Sequence, residues 1–532
     1  MNTIHVRTLL ELRFDMLLKV ACDSGTMARR TVILFAVVAV LLWRLFLFDI
    51  GDSRFKSITP HPSPEQRRQQ NHRARFLELT HNETYKTANA EERNDEHFKM
   101  ERYEESPARL QASANLDTQS TRVLVLSWHG GSAKDTAMQL HNAGVRRENI
   151  VCGGIIWYEK VLDSAPCVRD HALSEALNRL TQRVRGFPMA IDPADEKWLD
   201  DFAAEASEML STFHVLWADF PTVLCLLLNK IAPHKLIVRT THRFDHQVAH
   251  SKINHTSFVR KSLMRVLREA PILLAGSEYD RAYMKFYTCR EPERLFITWP
   301  TQYLESLGAS RTLTNESCFI LWGGSNNEGS SSISITFDRI RVLGRTMESQ
   351  VPMKSRPTSF AHASEFATEQ AVVYFPYSMP SSAFHELYAS CVPLFVPSLT
   401  FMLDEFSKNR GYPHKVAGNV PCASPSFYEN AEAVEFCCLD DTGVCHDPNS
   451  CDPEALKQWV SLGDLYTTPH VTYFDSAEHA VELMSNWMKH PDQRDRTIED
   501  MESHNVANLR WNVRVVQAAI RHVKQSSALE LD

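Results

Sequence analysis

Strand-length apolar runs alternate with helical segments along the first half of the chain beyond residue 120. The apolar runs are Val123–Ser127, Ile150–Ile156, Phe213–Trp217, Lys235–Arg239 and Ile272–Ala275. Predicted helices are Ala133–Asn142, the acidic Asp195–Leu210, an apolar segment ending at Asn229, and one from Ser277 to Tyr287. Buried strands separated by helices are typical of a parallel sheet covered on both faces. The pattern predicts a Rossmann-like domain over residues 121–300.

A second set of alternating elements follows a predicted hinge at residues 300–315. Its predicted strands are Cys318–Leu321, Val372–Phe375, Leu394–Val396 and Val471–Phe474, and its clearest helices are Ser382–Cys391 and Ala477–Lys489. These elements predict another Rossmann-like domain over residues 316–490, with residues 491–532 forming C-terminal helices. The predicted fold class is therefore α/β with two Rossmann-like domains.

Residues 1–120 have a different pattern. Thr31–Phe48 is apolar for 18 residues apart from Arg44, which is long enough to cross a bilayer. Arginines precede this run and aspartates follow it, so the positive-inside rule leaves the N-terminus cytosolic. We predict a cytoplasmic tail (1–30), a transmembrane signal anchor (31–50) and a highly charged stem (51–120). A cleaved signal peptide is the alternative, but the leader is long and no typical cleavage site follows.

Charge, sequons and cysteines indicate a class of partner and a compartment. A net charge of −8 without a basic stripe argues against a nucleic-acid partner. Three glycosylation sequons begin at Asn82, Asn254 and Asn315, and all cysteines except Cys22 follow the predicted anchor. Residues 421–451 form a cysteine-dense insertion, which we interpret as disulfide-stapled rather than zinc-binding. The predicted location is the Golgi or endoplasmic reticulum membrane, with the head in the lumen.

The segment Ala371–Leu399 carries the clearest chemical signal. It predicts strand, Pro/Ser loop, helix and strand, which is a βαβ unit whose loop lies at the carboxyl edge of the sheet. Ser381 and Ser382 stand beside the free N–H groups of the helix start, which suit a phosphate. Glu386 follows one turn later, where a carboxylate can bind two ribose hydroxyls. Together these groups could bind a nucleotide diphosphate. The alternative is a plain βαβ unit with a solvated Glu on its helix.

Glu386-Leu-Tyr-Ala-Ser-Cys-Val-Pro393 resembles the donor-site cassette of GT-B glycosyltransferases, in which a Glu precedes a Pro by seven residues. The resemblance implies that Glu386 binds the ribose of a nucleotide sugar and that the preceding loop binds the diphosphate. Cys391 replaces the usual Gly, and Ser378 stands where many retaining members carry a first Glu. The second departure argues against a retaining mechanism of that type.

His129 is the candidate general base. It follows the first strand, and a His with a near-neutral pKa is suited to deprotonating an acceptor hydroxyl. Inverting GT-B enzymes, which this layout resembles, place a catalytic His in that loop, often oriented by an Asp from a later strand; Asp219 is the candidate. Gly130 and Gly131 would let a substrate approach the backbone. The alternative is that His129 only caps the following helix or packs beside Trp128.

Further donor-binding candidates follow later strands. His242 resembles the strand-end His of retaining GT-B enzymes, and Arg243, together with Arg239 and His246, could face a diphosphate. The remaining candidates are Gly323, Gly324 and Ser325 in the first loop of the second domain, and Asp404 and Glu405 as readers of sugar hydroxyls. The alternatives are a solvated loop for the residues around His242, a turn for Gly323–Ser325, and a charged surface helix for Asp404 and Glu405.

No Asp-x-Asp triplet stands in the predicted lumenal part, so we expect donor binding without a metal or other cofactor. The predicted function is transfer of a sugar from a nucleotide-sugar donor to a glycan, protein or lipid acceptor. One alternative is a lumenal sulfotransferase, because Trp128–Lys134 could form a nucleotide-sulfate loop. Another is a non-catalytic GT-B-like lectin or scaffold.

Overall fold

The computed structural model describes residues 118–154, 159–183, 197–241, 256–294, 317–322, 331–346, 351–355, 366, 368–376, 382–408, 446–448, 450 and 452–529. All of these belong to one compact unit that spans Gln69–Asp532. The predicted tail, anchor and most of the stem lie outside the described residues. So does most of the cysteine-dense insertion. Within the described ranges, no helix is both long and apolar enough to cross a bilayer.

The first sheet is entirely parallel and has the strand order β3-β2-β1-β4-β5-β6-β7. Its strands are β1 (Val123–Leu126), β2 (Ile150–Gly153), β3 (Val168–Arg169), β4 (Val215–Ala218), β5 (Leu236–Thr240), β6 (Ile272–Ala275) and β7 (Glu293–Arg294). The four-residue and five-residue strands are buried at every position, which explains their continuous apolar sequence.

Helices cover both faces of this sheet. They are α1 (Gly130–Asn142), α2 (His171–Arg183), α3 (Lys197–Ser211), α4 (Cys225–Ile231), α5 (Thr256–Glu269) and α6 (Glu278–Thr288). Alternate strand residues pack on opposite sides: Leu216 joins the core formed with α3 and α4, and Trp217 joins the core formed with α1. The disulfide Cys152–Cys167 links β2 to the residue before β3.

The second sheet is also parallel, with the order β12-β11-β10-β8-β9. Its strands are β8 (Phe319–Trp322), β9 (Met353–Ser355), β10 (Ala371–Tyr374), β11 (Leu394–Pro397) and β12 (Thr472–Phe474). The helices of this half are α7 (Ser331–Thr346), α8 (Ser382–Ala389), α9 (Leu399–Lys408), α10 (Pro453–Ser461), α11 (Asp464–Thr467) and α12 (Ala477–Lys489). The predicted α/β class with two Rossmann-like sheets is confirmed.

The last helix, α13 (Pro491–Leu529), joins the two halves. Met501 packs in the core on the α8 side of the second sheet, while Val516 and Ile520 pack on the α1 side of the first sheet. Lys524 donates a hydrogen bond to Thr121 at the start of the first half, at 3.2 Å. Residues 491–529 therefore form one continuous helix rather than the several helices predicted, and its buried positions, from Met501 to Val523, pack on both halves.

Candidate active site

Each sheet has one point at which the strand order reverses, and open parallel sheets bind ligands in the crevice outside such points. In the first sheet the reversal lies between β1 and β4, and in the second it lies between β8 and β10. His129 and Asp219 follow β1 and β4, while α8 follows β10. The topology therefore places the predicted base and the predicted donor helix at the two positions that favour a ligand.

The loops after β1 and β4 are hydrogen-bonded to each other. The backbone N–H of Trp128 donates to the carbonyl of Phe220 at 2.7 Å, and the hydroxyl of Ser127 donates to the same carbonyl at 3.1 Å. The rings of His129 and Phe220 meet edge to face, with centroids 6.0 Å apart. These contacts hold His129 in a defined position at the first reversal point.

His129 caps helix α1, which is the structural alternative that the sequence left open. Its Nδ1 accepts a hydrogen bond from the N–H of Ser132 at 3.3 Å. A neutral imidazole that accepts at Nδ1 carries its proton on Nε2, so Nε2 cannot take a proton from a substrate while the cap is made. Burial lowers the pKa of His129, which keeps the ring neutral at pH 7. The catalytic role stays a prediction.

The predicted glycine loop is the first turn of α1 instead. Gly130 and Gly131 are buried helical residues, and the helix begins at Gly130 rather than at Ala133 as predicted. Because His129 supplies the cap, the chain can enter the helix directly from the strand end. Approach of a substrate to the backbone at these two residues stays a prediction.

Asp219 lies inside a buried ionic network. Its Oδ2 accepts a hydrogen bond from the hydroxyl of Thr136 at 2.8 Å and lies 3.7 Å from Nη1 of Arg239. Nη2 of Arg239 binds Oδ2 of Asp135 in α1, and Nη1 also donates to Thr136 at 2.7 Å. Burial raises the pKa of both Asp135 and Asp219, and the charge of Arg239 opposes the rise. The orienting role of Asp219 toward His129 stays a prediction.

This network corrects the expectation for Arg239. The sequence grouped it with residues that could face a diphosphate, whereas its side chain is 1% exposed and committed to Asp135 and Asp219. An Arg within an otherwise apolar strand needs a buried anionic partner, and this was the available signal. Asp135 could not be selected as that partner from its local sequence.

The donor helix α8 is confirmed as an element. It begins at Ser382 at the carboxyl edge of β10, and Glu386 is half-buried one turn later. Cys391 adopts a left-handed conformation with φ of 53° after the helix end, a position at which Gly is the commonest residue. Asn505 of α13 donates to the carbonyl of Tyr388 at 3.1 Å and so stabilises this helix end.

The sequence missed a buried His–Asp contact beside the donor helix. Nε2 of His385 lies 3.0 Å from Oδ2 of Asp464 at the start of α11. Asp464 interacts electrostatically with Asp280, which lies in the first turn of α6. Since α6 follows β6 in the first sheet, this group lies where the carboxyl edges of the two halves meet. No local pattern around Asp464 indicated the contact.

The remaining predicted residues divide into two groups. Asp404 lies exposed in α9, and Glu405 follows it in the same helix. The other predicted residues lie outside the described part of the chain: His242, Arg243, Gly323, Gly324, Ser325, Ser381, and the sequon residues Asn82, Asn254 and Asn315. Among the described residues, no three His, Cys, Asp or Glu side chains are grouped as metal ligands would be. Metal independence stays a prediction.

The chain matches no protein-family model, and no curated protein is similar to it in sequence. Among solved structures it is similar to the glycosyltransferase SnogD from Streptomyces nogalater, with 11% identity and a TM-score of 0.31. The alignment covers 69% of this chain and 100% of that one. A likeness of this size shows neither the activity nor the substrates of this chain.

Proposed function

We propose that the protein is a glycosyltransferase that moves a sugar from a nucleotide-sugar donor to an acceptor hydroxyl. The observation that carries this proposal is the placement of α8 at the strand-order reversal of the second sheet, with Glu386 half-buried one turn after the helix start. Such reversal points bind nucleotides in open parallel sheets.

The second half supplies the donor site. The first N–H groups of any α-helix lack partners within the helix, and its N-terminus is the positive end of the helix dipole, so the start of α8 is a position that favours a diphosphate. Ser382 lies at this first position, and Glu386 follows where a ribose attached to the diphosphate would extend. A carboxylate that accepts both ribose hydroxyls forms charge-assisted hydrogen bonds and thereby orients the nucleotide.

The first half supplies the acceptor side. His129 lies at the reversal point of its sheet, and its lowered pKa keeps the ring in the neutral form that a base requires. To accept a proton at Nε2, the ring must first give up its bond from Ser132 and hold its existing proton at Nδ1. An arriving acceptor would have to displace the cap, so we propose that acceptor binding and base activation are coupled.

The sulfotransferase alternative loses its main support. Lys134, which would have faced a nucleotide sulfate, is buried in α1 and donates to the hydroxyl of Ser164 at 2.6 Å. The segment from Gly130 onward is helix rather than a phosphate-binding loop. A sulfotransferase would also leave the second parallel sheet and its donor helix without a role.

We further propose a lumenal location on a type II membrane anchor at residues 31–50. Disulfide bonds support an oxidising compartment. Cys152 is bonded to Cys167, and Cys289 is bonded to a cysteine outside the described residues. The acceptors available there are glycans, glycoproteins and glycolipids, and each offers the hydroxyl that the reaction needs.

The purified full-length protein provides the test. Its unfolding temperature should rise with UDP, GDP or CMP, since a ligand that binds only the native state stabilises it. The matching radiolabelled nucleotide sugar should then transfer its sugar to a glycan library or be slowly hydrolysed. Binding without either reaction would favour the non-catalytic alternative, and failure of all three nucleotides would overturn the proposal.

A further inference from the structure

His385 lies on the donor helix next to the proposed ribose ligand. It follows Ser382 by three residues and immediately precedes Glu386, so Ser382 and His385 share one side of α8. The His385 side chain is 12% exposed, and its Nε2 lies 3.0 Å from Oδ2 of Asp464, whose side chain is 3% exposed. A contact this well shielded is not weakened by solvent as a surface pair would be.

Asp464 connects the donor helix to the first half of the molecule. It begins α11, and its charge acts on Asp280 in the first turn of α6. Asp280 accepts a hydrogen bond from the hydroxyl of Ser277 at 2.8 Å, and Ser277 caps α6 directly beyond β6. A polar path therefore runs from the carboxyl edge of the first sheet to the donor helix of the second.

Helix α8 depends on such contacts for its position. It has only eight residues, which is too short to be stable without tertiary packing. Phe384, Leu387 and Tyr388 pack on the second sheet and fix one face of the helix. The His385–Asp464 contact fixes a second direction, on the side that carries the proposed donor ligands.

We propose that His385 is a positioning residue for the nucleotide: through Asp464 it holds the first turns of α8 so that Ser382 and Glu386 meet the diphosphate and the ribose together. The role requires a side-chain nitrogen at the place of Nε2, within contact distance of Asp464. Misplacement of binding groups by about 1 Å is enough to weaken a preorganised site severely. This inference rests on the proposed nucleotide site.

Two amide variants of the full-length protein separate this role from general stability. In His385→Gln the side-chain nitrogen reaches the place of Nε2, whereas in His385→Asn the nitrogen stops near the place of Nδ1 and cannot reach Asp464. We expect His385→Asn to bind UDP, GDP or CMP, whichever the wild type binds, about tenfold more weakly, since the contact with Asp464 is lost and the helix start is no longer held in place. His385→Gln should stay within about threefold of the wild type.

Calorimetry at a temperature where every variant is folded provides the readout, and His479→Asn is the matched control. His479 and Asp475 also form a His–Asp contact, at 3.4 Å, but both side chains are more than a third exposed. Affinity in the control should equal that of the wild type. If His385→Asn does not fold, Asp464→Ser removes the same contact from the other side. That variant should then show the weaker nucleotide binding expected of His385→Asn.

The outcomes distinguish this inference from the proposed function. Wild-type affinity in His385→Asn, or equal weakening in His385→Asn and His385→Gln, would overturn the positioning role while leaving the nucleotide site intact. Failure of the wild type to bind any of the three nucleotides would remove the nucleotide site and the positioning role together. A loss of stability in His385→Asn without a loss of affinity would leave His385 with a purely structural role.

Discussion

Nη1 of Arg239 lies 3.7 Å from Oδ2 of Asp219, and both side chains are almost completely buried. The same guanidinium binds Asp135 through Nη2, so one cation serves two carboxylates at the strand-order reversal of the first sheet. The network joins β5, α1 and the residue after β4. It gives this edge of the sheet a rigid base, which a preorganised site needs.

Replacement of Arg239 by Met should be among the most destabilising single changes in the first half. The variant leaves Asp135 and Asp219 buried without their cation, which costs about 3–5 kcal/mol of unfolding free energy. Urea unfolding of the full-length protein measures the loss. Arg339→Met is the control, because Arg339 pairs with Glu478 on the surface and such a pair contributes about 1 kcal/mol or less. Similar losses in the two variants would contradict the network.

Asp280 should make stability depend on pH in a defined direction. Burial raises the pKa of Asp280 well above its ordinary value of 3.8, and the charge of Asp464 raises it further. The unfolded state therefore releases this proton at lower pH than the native state does. As pH rises above about 4, the wild type loses stability until the folded pKa is passed.

Asp280→Asn removes that titration and retains an oxygen that can accept from Ser277. We expect the unfolding temperature of Asp280→Asn, relative to that of the wild type, to increase steadily from about pH 4.5 to about pH 8. Thermal unfolding of both proteins across this range provides the measurement. A constant difference, or one that shrinks as pH rises, would show that the carboxyl group of Asp280 is not penalised by burial.

Two substitutions of His129 separate capping from catalysis. Asn is a good helix cap without a titrating ring, so His129→Asn should keep the stability that His129→Ala loses, about 1 kcal/mol. If His129 is the base, both variants should lose about 10²–10⁴-fold in turnover with nucleotide affinity unchanged. Turnover, nucleotide affinity and unfolding midpoint are measured for both. Full turnover in His129→Asn would leave His129 with the cap alone.

The proposed lumenal location has a direct biochemical consequence. Asn82, Asn254 and Asn315 begin sequons that the oligosaccharide machinery of the secretory pathway can modify. Endoglycosidase treatment of the full-length protein expressed in animal cells should increase its gel mobility. A triple Asn→Gln variant at these positions should migrate like the treated protein and not shift further. An untreated wild type that already migrates like the triple variant would argue against this topology.

The sequence predicted the strands better than the site. Strands such as Ile272–Ala275 are found with the predicted bounds because a parallel strand buried on both faces leaves a continuous apolar run. The helix Ala477–Lys489 is also found as predicted, since Ser476 caps it from within the local sequence. Both signals are local, and local signals survive in a single sequence.

The ionic and polar contacts of the site are not local. Arg239 meets Asp135 across 104 positions of sequence, and His385 meets Asp464 only because α11 is brought to α8 by the intervening fold. The role of His129 could not be decided from the sequence either, because the same residue pattern suits a helix cap and a general base. Such choices depend on tertiary partners, which periodicity does not specify.

The most direct test of the account is nucleotide affinity in Glu386→Ala. Loss of the carboxylate removes charge-assisted hydrogen bonds to ribose worth about 1.5–3 kcal/mol each, so affinity for the nucleotide that the wild type binds should fall about tenfold or more. Affinity is measured at a temperature where the variant is folded. Glu482→Ala, at an exposed position of α12, should bind like the wild type. A folded Glu386→Ala protein with wild-type nucleotide affinity would contradict the donor site on which the proposed function stands.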